Sequence, residues 1–298
     1  MKTFFLCAAA VPLLCLAFCF TASGQASKCG ATDYNCKIAE YTKQIAANGN
    51  DFEAYYNRAR AFQNASKCDE AILDFTKYIA SRPANKAYAA DGYNYRAGCY
   101  KTKKQFDAAI ADYTAAIGLI PGAGYLYANR ATAYSAQKLY DSAIADYSTA
   151  IGIKSDDSFS YVNRGYSYMK KLNYDQAFSD FTQAIAINAN ESEAYYNRAV
   201  IYSLRKEYSN AIVDFDKYIS LNPNNIPFLS DGYQHRGAAY LNLANYAQAL
   251  KDVNAAIDLD PNDPSPYKTR ALVYRKQGKI PLAEADEKKA ASLETKRP

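Results

Sequence analysis

Three residue types recur along this 298-residue chain at spacings that could carry polar chemistry. Arginine stands at Arg58, Arg96, Arg130, Arg164, Arg198, Arg236 and Arg270, each among apolar neighbours. Sixteen residues after each comes an aspartate: Asp74, Asp112, Asp146, Asp180, Asp214, Asp252 and Asp286. A guanidinium in apolar surroundings requires a carboxylate, ideally a bidentate one. Asn57, Asn129, Asn163 and Asn197 immediately precede four of the arginines. An asparagine amide offers a donor and an acceptor, which matches a peptide unit whatever its side chain. Catalytic patterns are missing: there is one histidine, His235, with no HExxH and no glycine-rich phosphate loop. The chain reads as a binding protein and not an enzyme.

The elements that position these residues are set by a 34-residue unit, clearest at 192–225. Two apolar-periodic runs, Ala194–Leu204 and Tyr208–Leu221, flank the polar Arg205-Lys206-Glu207. That period predicts two amphipathic helices joined by a short turn. Such a hairpin cannot bury its apolar face alone and needs copies stacked beside it. Copies cover 52–85, 90–123, 124–157, 158–191, 192–225, 230–263 and 264–297. Position 4 is always tyrosine, position 8 Ala or Gly, position 11 Phe62 and then tyrosine, and position 20 always alanine. Pro83, Pro121, Pro223 and Pro261 close four units.

Small residues at helix contacts, rings beside them and a terminal proline resemble the tetratricopeptide repeat, over residues 52–297. Tyrosine replaces that family's tryptophan at position 4, and arginine its leucine at position 7. The resemblance implies an all-α, right-handed α-solenoid of seven hairpins. Its concave face would be lined by the first helices at positions 2, 5, 6, 9, 12 and 13. It also likens the asparagines to the ladder of some peptide-binding members, with Tyr56, Tyr125, Phe159, Tyr166 and Tyr196 as aromatic anchors around them. The carboxylate clamp of chaperone-binding members is not supported, because position 9 runs Arg60, Gly98, Thr132, Tyr166, Val200, Ala238 and Leu272.

Met1–Ala26 reads as a secretory signal: Lys2, an apolar Phe4–Phe20 and a small-residue end. Export to the periplasm or the exterior is therefore expected, with cleavage after Ala26 or Gly24. Retention as an anchor is the alternative, and the only route to a membrane. Residues 27–51 are expected to cap the array, Ile38–Ala47 matching the second half of a unit. Glu284 and Glu287 give the last helix a polar outer side. Beyond the signal remain Cys29, Cys36, Cys68 and Cys99; disulfides Cys29–Cys36 and Cys68–Cys99 are expected in an oxidising compartment, with free thiols as the alternative. No C-x-x-C occurs, so neither a metal nor another cofactor is anticipated. Asn64 and Asn190 open glycosylation sequons, relevant only in a eukaryotic secretory pathway.

A longer period is also present, in which Glu53–Asp91 and Glu193–Asp231 correspond position by position. Both carry a tyrosine at position 27 (Tyr78, Tyr218) where the other units have alanine, and both then gain four residues, 86–89 and 226–229. The tyrosine is expected to push the next hairpin outward, the extra residues supplying slack. Because Glu40 occupies the place of the recurring aspartate in a cap without a first helix, each acid is expected to reach the arginine of the following unit: Glu40 to Arg58, Asp74 to Arg96. A net charge of +5, with both signs interspersed, does not point to nucleic acid. The expected role is a scaffold that binds an extended peptide or partner protein in the concave groove. The alternatives are a structural accessory subunit using its edges or convex face, and a tyrosine-lined glycan-binding module.

Overall fold

The computed structural model describes residues 29–295 apart from residue 82. Met1–Ala26, where the export signal is expected, lies outside the described residues. Fifteen α-helices and no strand occur among those described. They are α1 Tyr34–Ala47, α2 Phe52–Asn64, α3 Cys68–Ala80, α4 Lys86–Thr102, α5 Phe106–Leu119, α6 Gly124–Ala136, α7 Tyr140–Ile153 and α8 Ser158–Lys170. Then follow α9 Tyr174–Ile187, α10 Ser192–Leu204, α11 Tyr208–Leu221, α12 Ile226–Asn242, α13 Tyr246–Leu259, α14 Pro264–Lys276 and α15 Ile280–Glu294. From α2 onward they pair as seven hairpins, each stacked on the next, with α1 packed on α2. The expected all-α repeat solenoid is the observed fold.

Each hairpin turns at position 15, where Ser66, Lys104, Lys138, Leu172, Lys206 and Ala244 take φ of 56–64° and Gly278 takes 73°. That left-handed residue lets the next N–H reach back to the carbonyl of position 11, at 2.8–2.9 Å in all seven turns (Lys67 to Phe62, Lys279 to Tyr274). The first helix is thereby closed by a helix-capping bond that satisfies an otherwise orphan carbonyl. The recurring alanines Ala71, Ala109, Ala143, Ala177, Ala211, Ala249 and Ala283 are all fully buried. With no side chain beyond Cβ, they let the paired helices approach closely. Rings fill the space around them, among them Phe75, Tyr113, Tyr147, Phe181 and Phe215.

The four-residue insertions correct the expectation of slack. They are helical and lengthen α4 and α12 to 17 residues, where the other first helices have 13. Nor does the bulk of Tyr78 and Tyr218 need to be met by outward displacement alone. It is accommodated at Gly92 and Gly232, position 3 of the following unit. A Cβ there would sit 2.9 Å from Tyr78 Cδ1, or 2.7 Å from Ile219 Cγ1 and 3.1 Å from Tyr218 Cδ1. Ring and glycine are a size-matched pair.

Candidate functional site

The seven arginine–aspartate pairs form as bidentate bridges, but within a unit and not between units. Nε and Nη2 of each arginine donate to the two carboxylate oxygens of the aspartate sixteen residues on, at 2.7–2.9 Å. The pairings are thus Arg58–Asp74 and Arg96–Asp112, which replaces the expected Glu40–Arg58 and Asp74–Arg96. The reason is geometric: the second helix folds back against the first and sets position 23 beside position 7 of its own hairpin. The preceding unit contributes instead from position 25. Thr42, Thr76, Thr114, Ser148, Thr182, Asp216 and Asn254 accept from the outer Nη1 at 2.6–3.4 Å. Thr42, Thr76, Thr114 and Ser148 send their own hydroxyl proton to a carbonyl one turn back, leaving oxygen lone pairs for the guanidinium. Each guanidinium also lies 5.3–5.8 Å from the position-4 tyrosine ring centroid, within cation–π range. All seven aspartates are buried. These charges are consumed in holding hairpins together and are not offered to a ligand.

The correspondence between Glu53–Asp91 and Glu193–Asp231 has a spatial counterpart. Tyr56 meets Phe75 edge-on at 6.1 Å and Tyr78 at 4.9 Å; Tyr196 meets Phe215 edge-on at 5.9 Å and Tyr218 at 5.0 Å. Tyr95 stacks on Phe75 at 6.1 Å, and His235 stacks on Phe215 at 5.7 Å. Burial lowers the His235 pKa, so the imidazole is a neutral ring in this cluster at physiological pH.

A cavity of about 300 Å³ opens on the face formed by α6, α8, α10 and α12. Its lining from the first helices comprises Thr132, Ser135, Val162, Asn163, Tyr166, Tyr196 and Asn197, all at the positions expected to face inward. Asn163 Nδ2 donates to Phe159 O at 2.8 Å, and Asn197 Nδ2 to Glu193 O at 2.9 Å. One N–H of each amide is thus held by its own helix, which fixes the orientation of the group at the cavity wall. Asn129 differs, donating across to Asn94 Oδ1 at 3.0 Å. Among the expected anchors, Tyr166 and Tyr196 line the cavity; Tyr125 is half exposed and close enough to the Asp91 carboxylate to feel its charge. Tyr56 is spent on the ring cluster and Phe159 on the core beside Tyr147, while Asn57 lies on α2, away from the cavity.

Glu193 and Asp231 line it from position 2, also expected to face inward, whereas Tyr147, Tyr218 and Phe228 were not expected from sequence. Phe228 arrives on the extra turn of α12 and sits 6.1 Å from the Tyr218 ring. The Tyr147 hydroxyl is wholly buried at the cavity and has no hydrogen-bond partner among the described residues. Glu193 is open to solvent on the groove surface, yet the surrounding walls raise its pKa, with Glu191 adding to the effect. At the other end, Lys101 Nζ donates to Thr132 Oγ1 at 3.0 Å, and burial lowers its pKa. The arrangement suits non-covalent recognition: oriented amides, ring faces and charges at either end.

Of the expected disulfides, Cys29–Cys36 is formed. Cys68 and Cys99 are free thiols packed against each other, with Cys99 buried and its pKa raised by that burial, so the expected second bridge is not present. Among the described residues no group of three or more His, Cys, Asp or Glu is arranged to hold a metal, and no helix is long and apolar enough to cross a membrane.

Known structures share this architecture. A tetratricopeptide repeat protein from Parabacteroides merdae aligns with a TM-score of 0.61 at 21% identity, over 81% of this chain and 93% of that one. The C-terminal part of a TPR repeat-containing protein from Cytophaga hutchinsonii aligns with a TM-score of 0.63 at 18% identity, over 80% and 95%. YrrB, described as a TPR protein with an unusual peptide-binding site, gives 0.51 at 20% identity, over 64% and 97%. At these identities the likeness is one of fold. Family models described as tetratricopeptide repeat match residues 56–124, 100–158, 160–191, 192–225 and 230–263. With more than half of the chain matched and the hairpin stack in place, the protein belongs to the tetratricopeptide repeat family.

Proposed function

We propose that this chain is a scaffold that holds an extended peptide segment of a partner protein in the groove along α6, α8, α10 and α12. One observation carries the reading: Asn163 and Asn197 line the same cavity, each amide oriented by a bond to its own helix. Amides spaced one hairpin apart suit an extended main chain, whose carbonyls and N–H groups recur regularly. Tyr166 and Tyr196 add ring faces. YrrB, a structural neighbour, is named for a peptide-binding site, which agrees with this use of the fold. The scaffold works outside the cytoplasm, on the reading of Met1–Ala26 as an export signal; amino-terminal sequencing of the mature protein tests that point.

Partners captured by crosslinking in the native envelope fraction are compared between the wild type and Asn163→Ala/Asn197→Ala. Loss of a partner with an unchanged far-UV circular dichroism spectrum is the expected result. Retention of every partner by the double variant would move the binding surface to the edges or the convex face.

A further inference from the structure

The two corresponding clusters carry the same parts: Glu53, Tyr56, Tyr78, Tyr88 and Asp91 in the first, and Glu193, Tyr196, Tyr218, Phe228 and Asp231 in the second. They differ at position 9. In the first cluster this is Arg60, whose guanidinium lies 4.4 Å from the Tyr95 ring centroid and 5.9 Å from that of Tyr56. Arg60 also acts electrostatically on both Tyr56 and Asp91. A cation therefore already sits among the rings and carboxylate of the first cluster. In the second, the corresponding residue is Val200, which packs with Tyr196 against the α10–α11 core.

Resting on the groove reading above, we infer that the second cluster takes a lysine or arginine side chain from the bound polypeptide, in the role Arg60 plays within the first. Tyr196, Tyr218 and Phe228 supply ring faces, and Glu193 and Asp231 supply negative charge on the same cavity wall. Aromatic faces attract a cation through their quadrupole, and more strongly where water is thinned out. No basic side chain is among the cavity-lining residues, and His235 beside it is held neutral. Glu193 forms no ion pair among the described residues, and it lines the same cavity as the three rings. Asp231, Tyr196 and Tyr218 line the one cavity, so the charge and the rings share a site. A neutral apolar side chain would fill the same volume and leave Glu193 without a counter-charge. That difference makes the site selective.

The probe is acetyl-Ala-Ala-Arg-Ala-Ala-amide, with the norleucine analogue as control, titrated into the isotopically labelled full-length mature protein and followed by amide chemical shifts. The arginine peptide should shift Tyr196, Asn197, Tyr218 and Asp231, with affinity about tenfold above that of norleucine. Glu193→Gln should lose about that factor. Val200→Arg, which supplies the cation internally, should abolish the selectivity, whereas Arg60→Val should open a second site and double the stoichiometry. Equal shifts by both peptides, or unchanged selectivity in Val200→Arg, would overturn the cation site and leave the groove proposal standing. No shift at these residues up to roughly 10 mM arginine peptide would also overturn it. The fold of each variant is checked from the unperturbed resonances of α15, which lies apart from all three substituted residues.

Discussion

Removing Asp146 tests the idea that the recurring arginine is a structural staple. Arg130 donates to Asp146 at 2.7 and 2.8 Å and to Thr114 of the preceding hairpin at 3.0 Å, between the rings of Tyr127 and Tyr134. Its side chain is 17% exposed and that of Asp146 10%. Truncation to alanine leaves a guanidinium with one neutral acceptor and little water, the situation that costs about 3–5 kcal/mol when a buried pair is broken. The residual exposure of Arg130 argues for the lower end, about 3 kcal/mol. Thr114→Ala removes only the outer bond, and about 1–2 kcal/mol follows from a single hydrogen bond to a charged group. Arg130→Ala and the double variant complete a thermodynamic cycle. Their coupling should reach about 2 kcal/mol, because neither side chain has another ionic partner here. Urea unfolding read by circular dichroism at several wavelengths supplies the midpoints. Since the damage falls mid-array, the transition of Asp146→Ala should also broaden as the two flanks uncouple. A wild-type midpoint for Asp146→Ala, or a coupling within about 0.5 kcal/mol of zero, would refute the staple.

Three further outcomes follow from the packing. Gly92→Ala brings a Cβ to 2.9 Å from the Tyr78 ring and should destabilise by about 1–3 kcal/mol despite the better helix propensity of alanine; in a Tyr78→Ala background the same change should be neutral or favourable. Leu172 is 70% exposed and held at φ 63°, so Leu172→Gly should raise the unfolding free energy by about 0.5–1 kcal/mol in thermal or urea melts. At alkaline pH, burial keeps Tyr113 and Tyr147 protonated well above the ordinary value of 10.0. Their stabilising effect is complete below that pH and is lost above it, because the unfolded chain releases protons that the native state retains. Each should lower the unfolding free energy by about 1.4 kcal/mol per pH unit in that range. Lys101, with its pKa lowered by burial, acts in the opposite sense. Urea midpoints from pH 9 upward, compared between the wild type, Tyr113→Phe and Tyr147→Phe, measure this; the same pH slope in all three proteins would contradict it.

The hairpins were legible because the same residue types return in a fixed register: tyrosine at position 4, small residues at 8, alanine at 20. Each of these has a single packing role. The partner of each arginine was less legible, since two aspartates are available at repeat spacing and Glu40 in the isolated cap favoured the wrong one. A lone helix has no arginine of its own to reveal that the acid pairs within a hairpin; what reaches Arg58 from α1 is Thr42. The insertion 86–89 does carry a helix signal in its sequence: Asn85 precedes Lys-Ala-Tyr-Ala, an N-cap residue before helix formers, and its side chain caps α4 at Ala87 N.

The cavity was legible only in part, and the division follows from how its residues are separated along the chain. Asn163, Tyr166, Tyr196 and Asn197 lie on two first helices at the inward positions 5, 6 and 9, so one hairpin template finds them. Phe228 comes from the added turn of α12, which a template of fixed unit length treats as a gap. The decisive contrast, Arg60 against Val200, is a single substitution at position 9, where the seven units share no residue type. It acquires meaning only when the surrounding rings and carboxylates are seen to be duplicated. The fold is thus written in what all seven units share. The binding preference is written in what two of them share and then break, because the common positions are already spent on holding the hairpins together.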